Sequence, residues 1–389
     1  MRIAGIIAEY NPFHNGHALH IRRTREQTGC DCVIACMAGH FTQRGEPAIL
    51  SKWARARMAL ACGADAVFEL PALFAVRTAD AFALGGAAIL DGLGADVLSF
   101  GSEIADLDAL RRLAALRRSE PEDFSARVRD GLAAGMSHAR AWGEAAGEAL
   151  SLPPEWVNRP NLILAAEYLR ALDRLRSRME PAVVRRAGDY HGAALDGNCT
   201  SATAVRAAFA RGERDAALAA IPEAARPFAR PDALHPMDDM LLLRLREMTP
   251  EQLAALPDVA EGLEHRLYRL CRETASREAL LEALKCKRYT RARLSRLLTH
   301  ALLGMDAALL RDHPAPTCAR LLGARADAGP LLKELDRRAK LPVVSSAAAL
   351  RGDACFELEC RATDIWALLH DDPALRLPGR EYTEKFIRI

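Results

Sequence analysis

Two histidines with a glycine between them stand where a first apolar run gives way to a helical pattern. They are His14 and His17 of His14-Asn15-Gly16-His17, inside the stretch Glu9-Tyr10-Asn11-Pro12-Phe13-His14-Asn15-Gly16-His17-Ala18-Leu19-His20. A glycine lets a phosphate approach the backbone, a helix start offers unpaired N–H groups and a positive dipole end, and imidazoles donate to phosphoryl oxygens. The pattern reads as a nucleotide cradle without the lysine of a P-loop. The same four letters also serve as a turn with surface or metal-ligating histidines; the strand-to-helix setting favours the cradle. A second element, Thr200-Ser201-Ala202-Thr203-Ala204-Val205-Arg206, sets hydroxyls at a helix start with a guanidinium further in. That grouping suits a triphosphate tail, although alone it reads more readily as an N-cap.

The elements that must hold these residues follow from apolar periodicity. Apolar runs at 2–8, 32–37, 66–70, 97–100 and 182–184 alternate with helical patterns at 17–27, 51–62 and 78–91. Nearly continuous apolar strands alternating with helices predict an α/β fold with a parallel sheet covered by helices, whose ligands bind beyond the carboxyl ends of the strands. A helical insertion is expected near 106–180. Four prolines, Pro222, Pro227, Pro231 and Pro236, mark the best linker candidate. Beyond it the chain reads as helical from Met237 to about Leu335, and runs at 343–344, 355–360 and 385–389 suggest a small mixed α/β end. The division expected is therefore 1–215 and 216–389.

Composition bounds the partners. The 389 residues carry 53 Lys+Arg against 51 Asp+Glu, a net charge of +2, which excludes a globally basic nucleic-acid coat but not a local patch. Half of the residues are hydrophobic, yet no run of about 18 apolar residues exists, so no membrane-spanning helix is expected. The ten cysteines are scattered and no secretory leader is evident, which points to reduced thiols in a cytoplasmic protein.

The blocks AEYNPFHNGHALHI, MAGHFTQRGEPAILSKWARARMALACGADAVFELP, FGSE, RPNLILAAEYLRAL, RRAGDYHG with TSATAVR, EGLEHRLYRL, KRYTRARLSRLLTHALLG and ATDIWALL resemble, in order and spacing, the bacterial tRNA(Met) cytidine acetate ligase family of the HxGH nucleotidyltransferase superfamily. The resemblance implies a Rossmann-like nucleotidyltransferase domain followed by a mainly helical tRNA-binding region. It implies ATP as substrate with Mg²⁺, acetate activated as acetyl-adenylate, and acetyl transfer to the exocyclic amine of the wobble cytidine of elongator tRNA(Met). The family's nucleotide-binding positions fall on Ile7, Ala8, Glu9, Tyr10, Asn11, Pro12, Phe13, His14, Asn15, Gly16, His17, Ala18, Leu19 and His20, and on Gly101, Asn161 and Arg186. His14 and His17 would stabilise the α-phosphoryl and leaving group, and Ser201, Thr203 and Arg206 the remaining phosphates. Where the family often has PNNILG, this chain has Pro160-Asn161-Leu162-Ile163-Leu164-Ala165, so Leu162 replaces a second asparagine and either position is the alternative contact. Arg186 is preferred over Arg185 for the nucleotide.

On the acceptor side, Arg44 and Glu46 lie past the second strand. They either meet substrate or RNA, or form an internal pair that shapes a loop. Lys285, Lys287, Arg288, Arg291, Arg293 and Arg296 form a basic run without an acidic residue, with Tyr289 available to stack, and Arg174, Arg176 and Arg178 form a second cluster. The alternative is a solvated helix face. Cys30, Cys32, Cys36 and His40 resemble metal ligands by type, but Cys32 to Cys36 lies on an expected buried strand, where the side chains cannot all converge, so buried thiols and no metal site are expected. Asp189-Tyr190-His191 suits acid/base work or structural hydrogen bonding. No membrane contact and no obligate protein partner is evident. Two rivals remain open: a nucleotidyltransferase acting on another small metabolite, and a non-catalytic RNA-binding protein on the same fold.

Overall fold

The computed structural model describes residues 1–186, 201–231, 234–286 and 289–389. Strands β1 (Ile3–Ala8), β2 (Cys32–Ala38), β3 (Ala66–Leu70), β4 (Val97–Ser102) and β5 (Glu180–Arg185) pair in parallel in the order β5-β4-β1-β2-β3. The chain winds outward from β1 through β2 to β3, then crosses to the other side of β1 for β4. The strand order reverses there, and the crevice outside the carboxyl ends of β1 and β4 is where such a sheet binds ligands.

Alternation within each strand feeds two cores. Ile3 and Ile7 of β1 face one layer, with Phe68, Leu90 and Leu98, while Ala4 and Ile6 face the other, with Val33, Met37 and Trp53. Both faces are buried, as the continuous apolar runs require. The helices start on their own caps: Ser51 Oγ accepts the N–H of Ala54 to open Lys52–Ala61, and Gly29 at φ 60° closes Asn15–Thr28.

The C-terminal part departs from expectation. Its strands form no small sheet of their own. β6 (Ala319–Ala324) joins the main sheet antiparallel to β3, and β7 (Val343–Val344) and β8 (Ile387–Arg388) pair with β6. β6 lies inside a stretch read as uniformly helical, because six consecutive buried residues have no period to separate a strand from a buried helix. Residues 355–360 belong instead to the helix Ala354–Ala367, capped by Asp353. The proline-rich segment is not a free linker either. Its turn Glu223–Phe228 buries Ala225, and the following Ala229 is buried with it in the core beneath Lys52–Ala61.

A buried charge cluster joins the two parts of the chain. Lys52 contacts Glu69, lies 2.6 Å from Glu381 and 3.6 Å from Glu359, and Arg320 lies 2.8 Å from Glu69 and 2.6 Å from Glu381. Burial would raise Glu69, but the Lys52 and Arg320 charges override it and hold it at about 2. Burial and then the Glu69 charge push Glu359 up to about 8. Two cations thus face three carboxylates, and Glu359 is the one whose proton is held most tightly by burial and by the charge of Glu69. Among the described residues no helix is long and apolar enough to cross a membrane.

Candidate active site

His14 is the N-cap of Asn15–Thr28, with extended backbone at φ −142° and ψ 174°. Its Nδ1 accepts the N–H of Gly16 at 3.0 Å, its own N–H donates to Nδ1 of His17 at 3.2 Å, and the two rings stack with centroids 3.8 Å apart. With both Nδ1 atoms accepting, each neutral ring carries its proton on Nε2. Burial, then the nearby Arg186 and Arg206, drives His14 down to about 3, and burial with the His14 and Arg186 charges takes His17 well below the usual imidazole range. The pair therefore presents neutral Nε2–H donors. His20 is lowered to about 3 by burial and Arg186, and its Nε2 lies 3.0 Å from the Ser99 hydroxyl.

These imidazoles line a cavity of about 210 Å³ at the carboxyl ends of β1 and β4, where the strand order reverses. Ile7, Ala8, Glu9, Tyr10 and Asn11 form one wall, Gly101, Asn161 and Arg186 another, and Ser201, Thr203 and Arg206 a third. Arg206 ties the two phosphate-type elements together, its Nη1 donating to the Asn11 carbonyl at 2.7 Å and its Nη2 to Thr203 Oγ1 at 3.2 Å. Ser201 both faces the cavity and caps Ala202–Ala210 through the Ala204 N–H.

Several expectations need correction or sharpening. The first helical N–H groups are not available to a phosphate: Asn15 donates to the Ala220 carbonyl, Gly16 to His14 Nδ1 and His17 to the His14 carbonyl. At this helix start anion recognition rests on side chains, the imidazoles first, and not on main-chain N–H groups. Pro12, Phe13, Asn15, Gly16, Ala18 and Leu19 do not line the cavity; Phe13 is buried beneath it, against Tyr10 and His17. Arg186 faces the cavity and Arg185 does not. Gly101 makes room for it, since a Cβ there would meet Arg186 Cγ at 3.2 Å. Asn161 also faces the cavity, with its Nδ2 donating to Glu103 at 2.9 Å, whereas Leu162 is fully buried in the core. The missing second asparagine thus falls on a side chain that packs inward.

Sequence reasoning missed the apolar wall of Phe82, Phe100, Leu164 and Tyr168. Asn161, Leu164 and Tyr168 are spaced three and four apart, so one helix face could have been read from that interval. It also missed Arg55, which is fully buried and donates to the carbonyls of Leu50, Glu9, Ala38 and Gly39. A lone arginine in a helix carries no sequence signal for such a role.

Gln43, Arg44 and Glu46 line the remaining side. Their loop is propped by the helix Arg291–Leu303: Ser295 Oγ donates to the Arg44 carbonyl, and Thr299 Oγ1 donates to that of Gly45 at 2.7 Å. Gly45 sits at φ 71°, where a Cβ would meet the Ser295 carbonyl at 2.7 Å. This overturns the picture of an uncompensated basic run. Lys285 lies 3.6 Å from Glu282, Arg291 pairs with Glu278 and Glu282, Arg293 donates to the Asp258 carbonyl over the Tyr289 ring, and Arg296 is buried. The compensating carboxylates come from the neighbouring helix Arg277–Leu284, which the local sequence could not reveal. Tyr289 is itself buried, donating to the Ala260 carbonyl. Lys287, Arg288 and Asp189-Tyr190-His191 lie outside the described residues.

A second, larger cavity of about 840 Å³ opens between the helices Ala79–Gly92, Leu107–Arg118 and Pro160–Leu175, lined by Arg111, Arg118, Arg170, Arg174 and Arg176. Arg170 is paired with Glu167. Among the described residues no group of three His, Cys, Asp or Glu side chains could hold a metal ion, and Cys36 and His40 are buried, the latter against the Thr363 hydroxyl.

The HIGH Nucleotidyl Transferase family model matches residues 1–377. The tRNA(Met) cytidine acetate ligase of Syntrophotalea carbinolica is 38% identical over 398 residues, covering 95% of this chain and 94% of the relative. That of Thermoanaerobacter sp. strain X514 is 33% identical over 405 residues and covers 100% of both. The crystal structure of Thermotoga maritima TmcAL is similar at a TM-score of 0.90 in its apo form I and 0.87 when bound with alpha-thio ATP, each at 29% identity and covering 100% of both chains. By sequence and by fold along its whole length, this chain belongs to the HIGH nucleotidyl transferase family and groups there with the tRNA(Met) cytidine acetate ligases.

Proposed function

We propose that this chain is an ATP-dependent ligase that forms acetyl-adenylate from ATP and acetate and transfers the acetyl group to the exocyclic amine of the wobble cytidine of elongator tRNA(Met). AMP and diphosphate are the other products. The observation that carries this reading is the convergence of two neutral imidazoles, Arg186 and Arg206 on one cavity, in a chain matched end to end by relatives of that name.

Acetate attacking the α-phosphorus needs alignment with the departing diphosphate and neutralisation of the charge that develops. His14 and His17 donate from Nε2 to the α-phosphoryl and leaving oxygens without releasing a proton of their own. Arg186, Arg206, Ser201 and Thr203 take the β- and γ-phosphates. No covalent nucleophile is required. The apolar side of Phe82, Phe100, Leu164 and Tyr168 keeps water from the mixed anhydride. Mg²⁺ would supply further neutralisation of the triphosphate charge; among the described residues only Glu9 and Glu46 offer carboxylates at the cavity, so the ion would be held chiefly by the nucleotide.

The tRNA backbone is assigned to Arg174, Arg176 and Arg178 with Arg111 and Arg118, since in the 285–297 run Lys285 and Arg291 are paired with Glu282 and Glu278 and Arg296 is buried. Its substrates place the protein in the cytoplasm. Acetate-dependent exchange of labelled pyrophosphate into ATP tests the first half-reaction, and exchange that ignores acetate but responds to another carboxylate or phosphate acceptor would displace the reading.

A further inference from the structure

Resting on that proposed reaction, the second half-reaction poses a problem the phosphate machinery does not solve. The lone pair on the cytidine amine attacks the acetyl carbonyl carbon and forms the C–N bond. The C–O bond to the adenylate breaks, and its electron pair leaves with the AMP phosphate. The amine nitrogen must shed one proton. His14 and His17 are held as donors by their Nδ1 hydrogen bonds, and the His20 ring lies against Ser99, so the imidazoles are committed elsewhere.

Among the described residues two carboxylates line the cavity, Glu9 and Glu46. Glu9 directly follows β1 and sits between the histidine motif and the 42–46 loop. Its Oε1 accepts the Gln43 N–H at 2.7 Å, which fixes the carboxylate, while its backbone carbonyl is held by the Arg55 guanidinium. Among the described residues no donor is assigned to Oε2. We infer that Glu9 is the group that takes the amine proton on Oε2 during acetyl transfer and passes it to solvent. Glu46 also lines the cavity but stands in the field of Arg277.

The surroundings suit a base. Arg206, Arg44 and Arg55 face Glu9 from three elements and Tyr168 from a fourth, and burial outweighs those three cations to raise its proton affinity above that of an ordinary carboxylate. A carboxylate so placed is a better proton acceptor near neutral pH than either imidazole of the motif.

The test is single-turnover transfer from enzyme-bound labelled acetyl-adenylate to tRNA(Met), with the rate read per bound adenylate so that any loss in the first step drops out. Glu9→Gln keeps an oxygen for the Gln43 N–H and removes the base. The expected result is a loss of about 10²- to 10⁴-fold, with the rise of rate with pH seen in the unsubstituted protein gone. Glu46→Gln should retain that rise. A Glu9→Gln rate near that of the unsubstituted protein, or a slower rate with the same pH profile, would overturn the inference in favour of the AMP phosphate as acceptor or a positioning role. If the unsubstituted protein forms no acetyl-adenylate at all, the proposed function fails before this step is reached.

Discussion

The main-chain N–H of His14 donates to Nδ1 of His17 at 3.2 Å while the two rings stack at 3.8 Å, so His14 sets the tautomer of His17, as the Gly16 N–H sets that of His14. The arrangement is a capping box built from imidazoles in place of hydroxyl and carboxylate, and it leaves both Nε2–H groups for the ligand.

His17→Ala removes one of these donors and the acceptor for the His14 N–H. Acetate-dependent ATP–pyrophosphate exchange should fall by about 10²- to 10³-fold. His14→Ala would add the loss of a helix cap, about 1 kcal/mol, so His14→Asn is the cleaner comparison. Near-normal exchange in His17→Ala would remove the assigned role.

Arg55 holds the carboxyl ends of β1 and β2 by donating to four carbonyls and, among the described residues, has no carboxylate partner within hydrogen-bonding distance. Burial lowers it to about 10, so it remains charged at neutral pH. Arg55→Met should cost about 3 kcal/mol or more in urea unfolding by orphaning those carbonyls, and Arg55→Lys should not restore it, because an ammonium lacks the planar fork. An unchanged urea midpoint for Arg55→Met would contradict the staple.

The buried cluster sets a pH dependence of stability. Glu359, pushed up to about 8, holds a proton in the folded chain that the unfolded chain loses above about 4.3. Its contribution is full below that value and is lost as pH rises toward 8. The buried histidines act with the opposite sign: His14 and His20, lowered to about 3, and His300, lowered to about 4 by burial, cost stability as pH falls below about 6.5. Between pH 6.5 and 8 only Glu359 of this set titrates, so stability should decline there by up to about 1.4 kcal/mol per pH unit. Thermal melts of Glu359→Gln should show that decline removed; a decline of the same slope would place its origin elsewhere.

Among the described residues Arg174, Arg176 and Arg178 have no carboxylate partner within ion-pair distance, whereas Arg291 is held by Glu278 and Glu282. Replacing the first three with Gln should lower the salt dependence of tRNA binding, reducing the log–log slope by about 2. Arg291→Gln should leave that slope in place. Equal slopes for the triple variant and the unsubstituted protein would move the RNA surface away from this cluster.

The parallel sheet was legible because its strands are continuous apolar runs separated by capped helices, and β3 at 66–70 has the bounds its sequence predicts. The position of the histidine motif between a strand and a helix was legible, and His14 and His17 line the cavity there, but the helix N–H groups it was expected to offer are taken by other partners. What escaped was long-range. β6 carries nothing in its own six residues to show that it pairs with β3, some 250 positions earlier. The basic run at 285–297 reads as uncompensated because its carboxylates sit on another helix. Glu69, Lys52, Arg320, Glu359 and Glu381 are unremarkable singly and meet only when both parts of the chain close on one sheet.

The central claim is tested most directly by incubating the protein with ATP, labelled acetate and tRNA(Met), then locating the label by nuclease digestion and mass spectrometry. The account predicts N4-acetylcytidine at the wobble position, dependent on ATP and acetate and accompanied by AMP. Labelled acetate that stays off the tRNA while ATP is still consumed, or label on a different nucleoside, would contradict it.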